Sequence, residues 1–180
     1  MIDLYRWSLE KIRKDPIMST WMEDRREEWT PLIASRIKLM LEGACFIFFC
    51  DNERRWFEEY FLLNINKKNN ERPILPFFSL RALYPNISNV STKESIELLE
   101  DMLSLSFSNG YMFFYIGKGN SIFSQIAKNS DNSYMWLIDE HAENSFYLDG
   151  ADENLDIKLI QLFRLFDSSI SAALFDEVIL

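Results

Sequence analysis

The chain is poor in the residues that most often carry chemistry. Its 180 residues include one histidine and two cysteines. One His and scattered carboxylates offer no metal-ligand spacing, so no metal site is expected. Cys45 and Cys50 are too few for a disulfide framework and read as small buried hydrophobes of a reducing compartment. Glycine and proline number five each. Neither G-x-G-x-x-G nor a Walker A sequence occurs, so nothing announces a nucleotide cofactor, and no cofactor is expected. Positive charge is outnumbered 19 to 28, leaving a net charge of −9 and a pI near 4.7. Such a surface repels phosphate backbones, which argues against direct DNA or RNA binding. It suits a basic or mixed-charge protein partner instead. No apolar run approaches the ~20 residues that span a bilayer. Charges in every turn of residues 1–15 are unlike a signal peptide. A cytoplasmic protein without membrane contact is the expectation.

Apolar mass is plentiful. Hydrophobic residues make up 48% of the chain and aromatics 15%, with 15 Phe. That is enough for one well-packed domain over residues 1–180. Leu4, Trp7 and Ile12 sit at helical spacing, and Pro16 ends that segment. A second helix is predicted from Trp21 to Glu42, restarting or kinking where Thr30 N-caps before Pro31, and stopping at Gly43. Ala44 to Cys50 is continuously apolar, the mark of a strand covered on both faces. Asp51 and Asn52 break it and cap a helix over Glu53–Ile65. Further strands are predicted over Ile74–Leu80, Tyr111–Ile116, Tyr134–Ile138 and Asn144–Leu148. Helices are predicted over Ser91–Ser106, from the Gly117–Ser121 turn through Ala127, and from Glu153 to Val178. Helices alternating with buried strands give a three-layer, doubly wound α/β fold: a parallel sheet of about five strands with helices on both faces.

The last helix carries one apolar stripe in Leu155, Leu159, Leu162, Phe166 and Ile170. Ile160, Phe163, Leu174 and Phe175 widen it, with Ile157 and Leu165 adding more. A helix apolar over most of its circumference is buried nearly all round. One flank packs on the sheet. The other needs a second copy of the chain or the chain's own N-terminal segment, and the rarity of large exposed apolar patches favours a second copy.

Candidate sites are few. His141, in Asp139-Glu140-His141, follows a strand at the sheet edge where α/β sites lie. No nucleophile is identifiable beside it, so an exposed loop residue is the better reading. Glu27-Glu28, Glu58-Glu59 and Glu100-Asp101 are adjacent on helices and do not converge. The first strand-to-helix turn, Cys50 to Arg54, has no glycine and two carboxylates. At about 4 Å and an effective dielectric near 20, each would repel an anion by ~4 kcal/mol, an effect that Arg54 and Arg55 offset only if they point inward. The third turn, Gly117-Lys118-Gly119-Asn120-Ser121, could cradle an anion, although plain turn chemistry explains it as well.

Arg72-Pro73-Ile74-Leu75-Pro76 followed by the Gly117–Ser121 turn resembles sugar isomerase (SIS) domains, and in particular the DiaA-like regulators of the bacterial replication initiator DnaA. A fuller resemblance is to the HobA family of DnaA-binding initiation factors. Its pieces are a Trp near the N-terminus, Leu32-Ile33-Ala34, Arg55-Trp56-Phe57, Glu71-Arg72-Pro73, Tyr84-Pro85 and Trp136-Leu137. The most specific is the run Leu155-Asp156-x-Lys158-Leu159-x-Gln161-Leu162-Phe163-x-Leu165-Phe166. The resemblance implies a SIS-like fold of five parallel strands, a homotetramer, no catalysis, and binding of the DnaA N-terminal domain. It also implies a partner-binding role for Leu174 and Phe175, because DiaA-like proteins use a Leu-Phe pair at the end of the last helix, and it makes the Gly117–Ser121 turn a vestigial anion site. The alternative is a SIS isomerase or sensor that binds a sugar phosphate at that turn.

Overall fold

The continuous apolar runs form the centre of a sheet. The structure, a computed structural model, describes residues 2–67 and 72–180. Its strands in chain order are β1 (Ile2–Asp3), β2 (Cys45–Cys50), β3 (Phe77–Ser79), β4 (Tyr111–Lys118), β5 (Tyr134–Ile138), β6 (Ser145–Leu148) and β7 (Val178–Ile179). Five of them make one sheet in the order β3-β2-β4-β5-β6, and every pair in it is parallel. The chain builds outward from β2 to β3 and then returns to place β4 on the other side. The switch point of the sheet therefore lies between β2 and β4, where ligands of such folds settle.

Side chains alternate across each strand and so feed two cores. Phe46, Phe48 and Cys50 of β2, Phe114 of β4 and Trp136 of β5 enter one core. Ile47 and Phe49, Phe113 and Tyr115, and Met135 and Leu137 enter the other. The first core is dense in rings: Phe61 stacks on Phe48 at 4.1 Å between centroids, and Phe77 stacks on Phe46 at 4.5 Å.

The helices are α1 (Leu4–Arg13), α2 (Pro16–Met22), α3 (Arg26–Leu41), α4 (Arg55–Ile65), α5 (Leu80–Leu83), α6 (Lys93–Ser106), α7 (Ile122–Lys128) and α8 (Leu155–Leu174). Helices α1 to α4 and α8 serve the first core, and α5 to α7 the second. The predicted three-layer arrangement is present, with a deeper stack of helices on the first face.

Several boundaries differ from expectation, each for a local reason. The first segment ends before Pro16, at Arg13, and Pro16 also starts the next helix: Asp15 accepts from the amides of Ile17 and Met18, both at 3.0 Å, and Pro16 occupies the first helical position. The predicted Trp21–Glu42 helix is accordingly split between α2 and α3. Pro31 lies inside α3. Thr30 is no cap but a buried residue whose hydroxyl meets Ser8 at 3.4 Å. The strand predicted over Ile74–Leu80 shrinks to Phe77–Ser79. Leu75 spends its amide and carbonyl on the Asn66 side chain, and Ser79 caps α5. Between β2 and α4 a single 3-10 turn, Asn52–Arg54, is capped by Asp51. β4 runs on through Gly117 and Lys118. α8 stops at Leu174, not Val178: Asp176 turns the chain at φ 54°, and Val178 and Ile179 then pair in parallel with Ile2 and Asp3.

Much of the cover that α8 needs comes from its own chain, the other source considered. α1, α3 and α4 of the same chain pack on it. Trp21 reaches Gln161 at 3.0 Å, and Leu159, Leu162, Phe166 and Ile170 are wholly buried.

Candidate functional site

The end of α8 presents one apolar side chain to solvent. Leu174 is half-buried against the core. Phe175, the C-cap, is 53% exposed. Neighbouring helical residues point about a hundred degrees apart, so of the Leu174–Phe175 pair only Phe175 is free to meet a partner.

This end is pinned by Arg72. Its guanidinium donates to the Ile65 carbonyl at 2.7 Å, to the Asp167 carbonyl at 3.0 Å and to Ser171 Oγ at 2.6 Å, and it pairs with the Asp167 carboxylate. One side chain thus ties the end of α4, the segment leading to β3 and the last turns of α8, and Ser171 is one turn from Phe175. Two strongly exposed side chains flank the pinned segments, Leu63 at 75% and Ile74 at 87%. In sequence, Arg72-Pro73 stands out only as part of a resemblance. Arg72 follows Lys67, Lys68 and Glu71 in sequence and carries no other signal. Glu71 of the Glu71-Arg72-Pro73 match lies outside the described residues.

At the switch point the chain supplies its own anions. Asp51 Oδ2 accepts from the Lys118 amide at 2.7 Å, and Asp51 Oδ1 from the Arg54 amide at 3.0 Å. Glu53 Oε1 takes the Lys118 ammonium at 2.8 Å, and Glu53 Oε2 the Arg54 guanidinium at 2.5 Å. The hydrogen bond from Lys118, and after it the charges of Arg54 and Lys118, hold the Glu53 carboxyl below its ordinary range. Glu140 reaches Lys128 at 2.5 Å, and Lys128 also donates to the Gly119 carbonyl at 2.7 Å. The two glycines of the turn are needed for close approach. A Cβ on Gly117 would lie 2.6 Å from the Asp51 carboxylate, and one on Gly119 would lie 2.3 Å from Glu140 Cβ. Ser121 caps α7 through the Phe123 amide, and Asn120 is exposed. A cleft of about 270 Å³ remains, lined in part by Asp51, Glu53, Lys118 and Ser121. The turn's main cationic donors are thus engaged by carboxylates. Of the arginines beside it, Arg54 is buried and turned inward to acids, while Arg55 is exposed.

His141 is exposed and stacks on Tyr147 at 4.1 Å between centroids. Among the described residues, no group of three or more His, Cys, Asp or Glu is placed to hold a metal ion. Nor is any helix among them long and apolar enough to cross a membrane. A cleft of about 490 Å³ opens between α1, α3 and the chain end, lined by residues including Tyr5, Pro31 and Leu180. Its rim is internally satisfied, since Tyr5 donates to Glu27 at 3.0 Å and accepts from Arg26 at 2.9 Å.

Comparison with known proteins covers the whole chain. The family described as "HobA: DNA replication regulator" matches residues 1–180. The DNA replication regulator protein HobA of Helicobacter pylori is 31% identical over 186 aligned residues, covering all of both chains. The crystal structure of a HobA–DnaA (domain I-II) complex from the same organism superposes with a TM-score of 0.77 at 31% identity, covering all of both chains. A crystal structure of HobA from Helicobacter pylori gives a TM-score of 0.76 at 30% identity, covering 100% of this chain and 99% of that one. Identity at this level along the full length, on the same five-stranded parallel sheet, places the chain in the HobA family of DNA replication regulators.

Proposed function

We propose that the chain is a non-enzymatic cytoplasmic adaptor, acting as one domain. It binds the N-terminal domain of the replication initiator DnaA and promotes initiator assembly at the replication origin. The observation that carries this reading is the full-length likeness to a HobA that was crystallised with DnaA domains I-II. Phe175, held out at the pinned end of α8, is the contact residue of choice, with Leu174 seating it from behind. The mechanism is multivalency: a homotetramer with equivalent sites raises the local concentration of bound initiators to about millimolar. The acidic surface fits this role, because such an adaptor touches protein and leaves DNA to its partner.

α8 leaves Ile157 50% exposed near its start, so that outer side stays open to a second copy. A sugar-phosphate isomerase or sensor is the rival reading. It has to place a phosphate where Asp51 and Glu53 already hold Lys118.

Multi-angle light scattering of the pure chain, then of its mixture with the DnaA N-terminal domain, tests the proposal. A tetramer that gains the mass of several domains is the expected result. No gain at tens of micromolar removes the adaptor reading. A thermal shift with millimolar phosphosugar would then favour the rival, since specific binding stabilises the folded state.

A further inference from the structure

The second face of the sheet carries a surface that the adaptor reading does not use. α6 buries Ile96, Leu99 and Leu103 against Ile47, Phe49, Phe113 and Tyr115. Its opposite side is not polar. Leu98, Met102 and Leu105 are 58%, 43% and 87% exposed. At spacings of four and three residues they form one stripe, about 10 Å long over two turns. A lone exposed leucine needs no explanation, but three in a row on one helix face mark a contact surface.

Charge says what kind of contact. Glu94, Glu97 and Asp101 all fall on one flank of the stripe, and Ser95 and Ser106 on the other. Lys93 pairs with Glu97 at 3.7 Å; among the described residues, Glu94 and Asp101 have no such partner. The crowding is felt by Glu100, whose carboxyl is pushed up by burial and then by Glu97 and Asp101. Nucleic acid and anionic lipid are repelled by this flank. A second copy on this face is disfavoured as well, because an antiparallel α6–α6 pairing would set the two acidic flanks edge to edge.

We infer that the outer face of α6 docks a basic amphipathic helix of a partner protein, with that helix's apolar stripe on Leu98, Met102 and Leu105 and its Lys or Arg flank on Glu94, Glu97 and Asp101. The arrangement is helix against helix, with apolar anchors for affinity and charges for orientation. α6 and α8 serve opposite cores, so this surface and the one at Phe175 can be occupied together.

The probe is a labelled helical peptide with Leu at i, i+3, i+4 and i+7 and Lys along one flank, titrated against the full chain by fluorescence anisotropy. Leu105→Asp is the discriminating variant. Leu105 is almost fully exposed, so the fold tolerates the change, and the new carboxylate strengthens any purely electrostatic adsorption. The expected result is binding that weakens about tenfold in Leu105→Asp and severalfold between about 50 and about 300 mM salt. Phe175→Asp binds the peptide as the parent does, and Leu105→Asp still binds the DnaA N-terminal domain. Equal or tighter binding to Leu105→Asp overturns the proposal. So does equal binding of a peptide with Glu in place of Lys. A fall in the assembly mass of Leu105→Asp would instead make the face a contact between copies. Loss of DnaA binding in that variant would make it the initiator's site. Either outcome overturns a separate basic partner.

Discussion

Arg72 and Asp167 form an ion pair in which the arginine side chain is 3% exposed and the aspartate 29%. The same guanidinium also serves the Ile65 and Asp167 carbonyls and Ser171. Lysine cannot reproduce this, because a single ammonium lacks the planar fork that spans four acceptors. Arg72→Ala is expected to destabilise the chain by about 3 kcal/mol, since it strands the partly buried Asp167 carboxylate and takes the guanidinium donor from the Ile65 carbonyl. The urea midpoint should fall with little change in slope. Arg72→Lys should recover less than half of the loss. A midpoint unchanged in Arg72→Ala would remove the pin from the account of the α8 end.

Three carboxylates, one of them at the switch point, carry a pH dependence whose sign is fixed. Glu53 is held low first by the hydrogen bond from Lys118, Glu23 by that from Arg13, and Asp152 by that from Lys158. A carboxyl lower in the folded than in the unfolded state contributes stability above its unfolded pKa and loses it as pH falls through the folded one. The window therefore opens near pH ~4, the ordinary carboxylate range, and extends downward. Glu53→Gln should melt below the parent at neutral pH, and the gap should close in acid and with added salt. Glu53 is well exposed, so the gap is small. A gap that widens in acid would contradict the assignment.

The two cysteines separate by environment. Cys50 is wholly buried, and burial, then Glu58 and Asp51, pushes its thiol well above the usual range. Cys45 is half-buried at the strand's first residue, with a smaller upward push from burial. Thiolate is the reactive form. A thiol reagent should thus label one cysteine of the native chain slowly at Cys45, and Cys50 only on unfolding. Labelling of both at equal rates would show that β2 opens in the native state.

The sequence makes some of this plain and hides the rest, for physical reasons. The central strands are legible because a strand buried on both faces is written as an unbroken apolar run, as in Phe46 to Phe49. α6 is legible on its buried side because Ile96, Leu99 and Leu103 repeat at helical spacing. The cover of α8 is not legible. Trp7, Ile12 and Met22 look the same in sequence whether they meet a helix of their own chain or of another. The β1–β7 ribbon is two residues wide, below any periodic signal. The switch point is half legible: Asp51 and Glu53 stand out as unfit for phosphate, but their grip on Lys118, 65 residues and more away, is tertiary. The role of Phe175 rests on a resemblance, and its exposure at the end of α8, where the chain turns at Asp176, has no signal in the sequence.

Phe175 gives the sharpest functional test because its two roles predict opposite results. A core residue truncated to alanine costs roughly 3 kcal/mol or more. An exposed contact residue costs within about 0.5 kcal/mol in stability but, as a buried anchor of a complex, 2 kcal/mol or so in binding. Phe175→Ala is therefore expected to melt like the parent and to bind the DnaA N-terminal domain about thirtyfold more weakly, measured by calorimetry. Leu174→Ala should do the reverse in part, lowering the melting temperature because Leu174 packs on the core. If Phe175→Ala bound normally, the initiator contact would lie away from the α8 end, and the exposed Leu63 and Ile74 flanking the Arg72 pin would be the next substitutions to make.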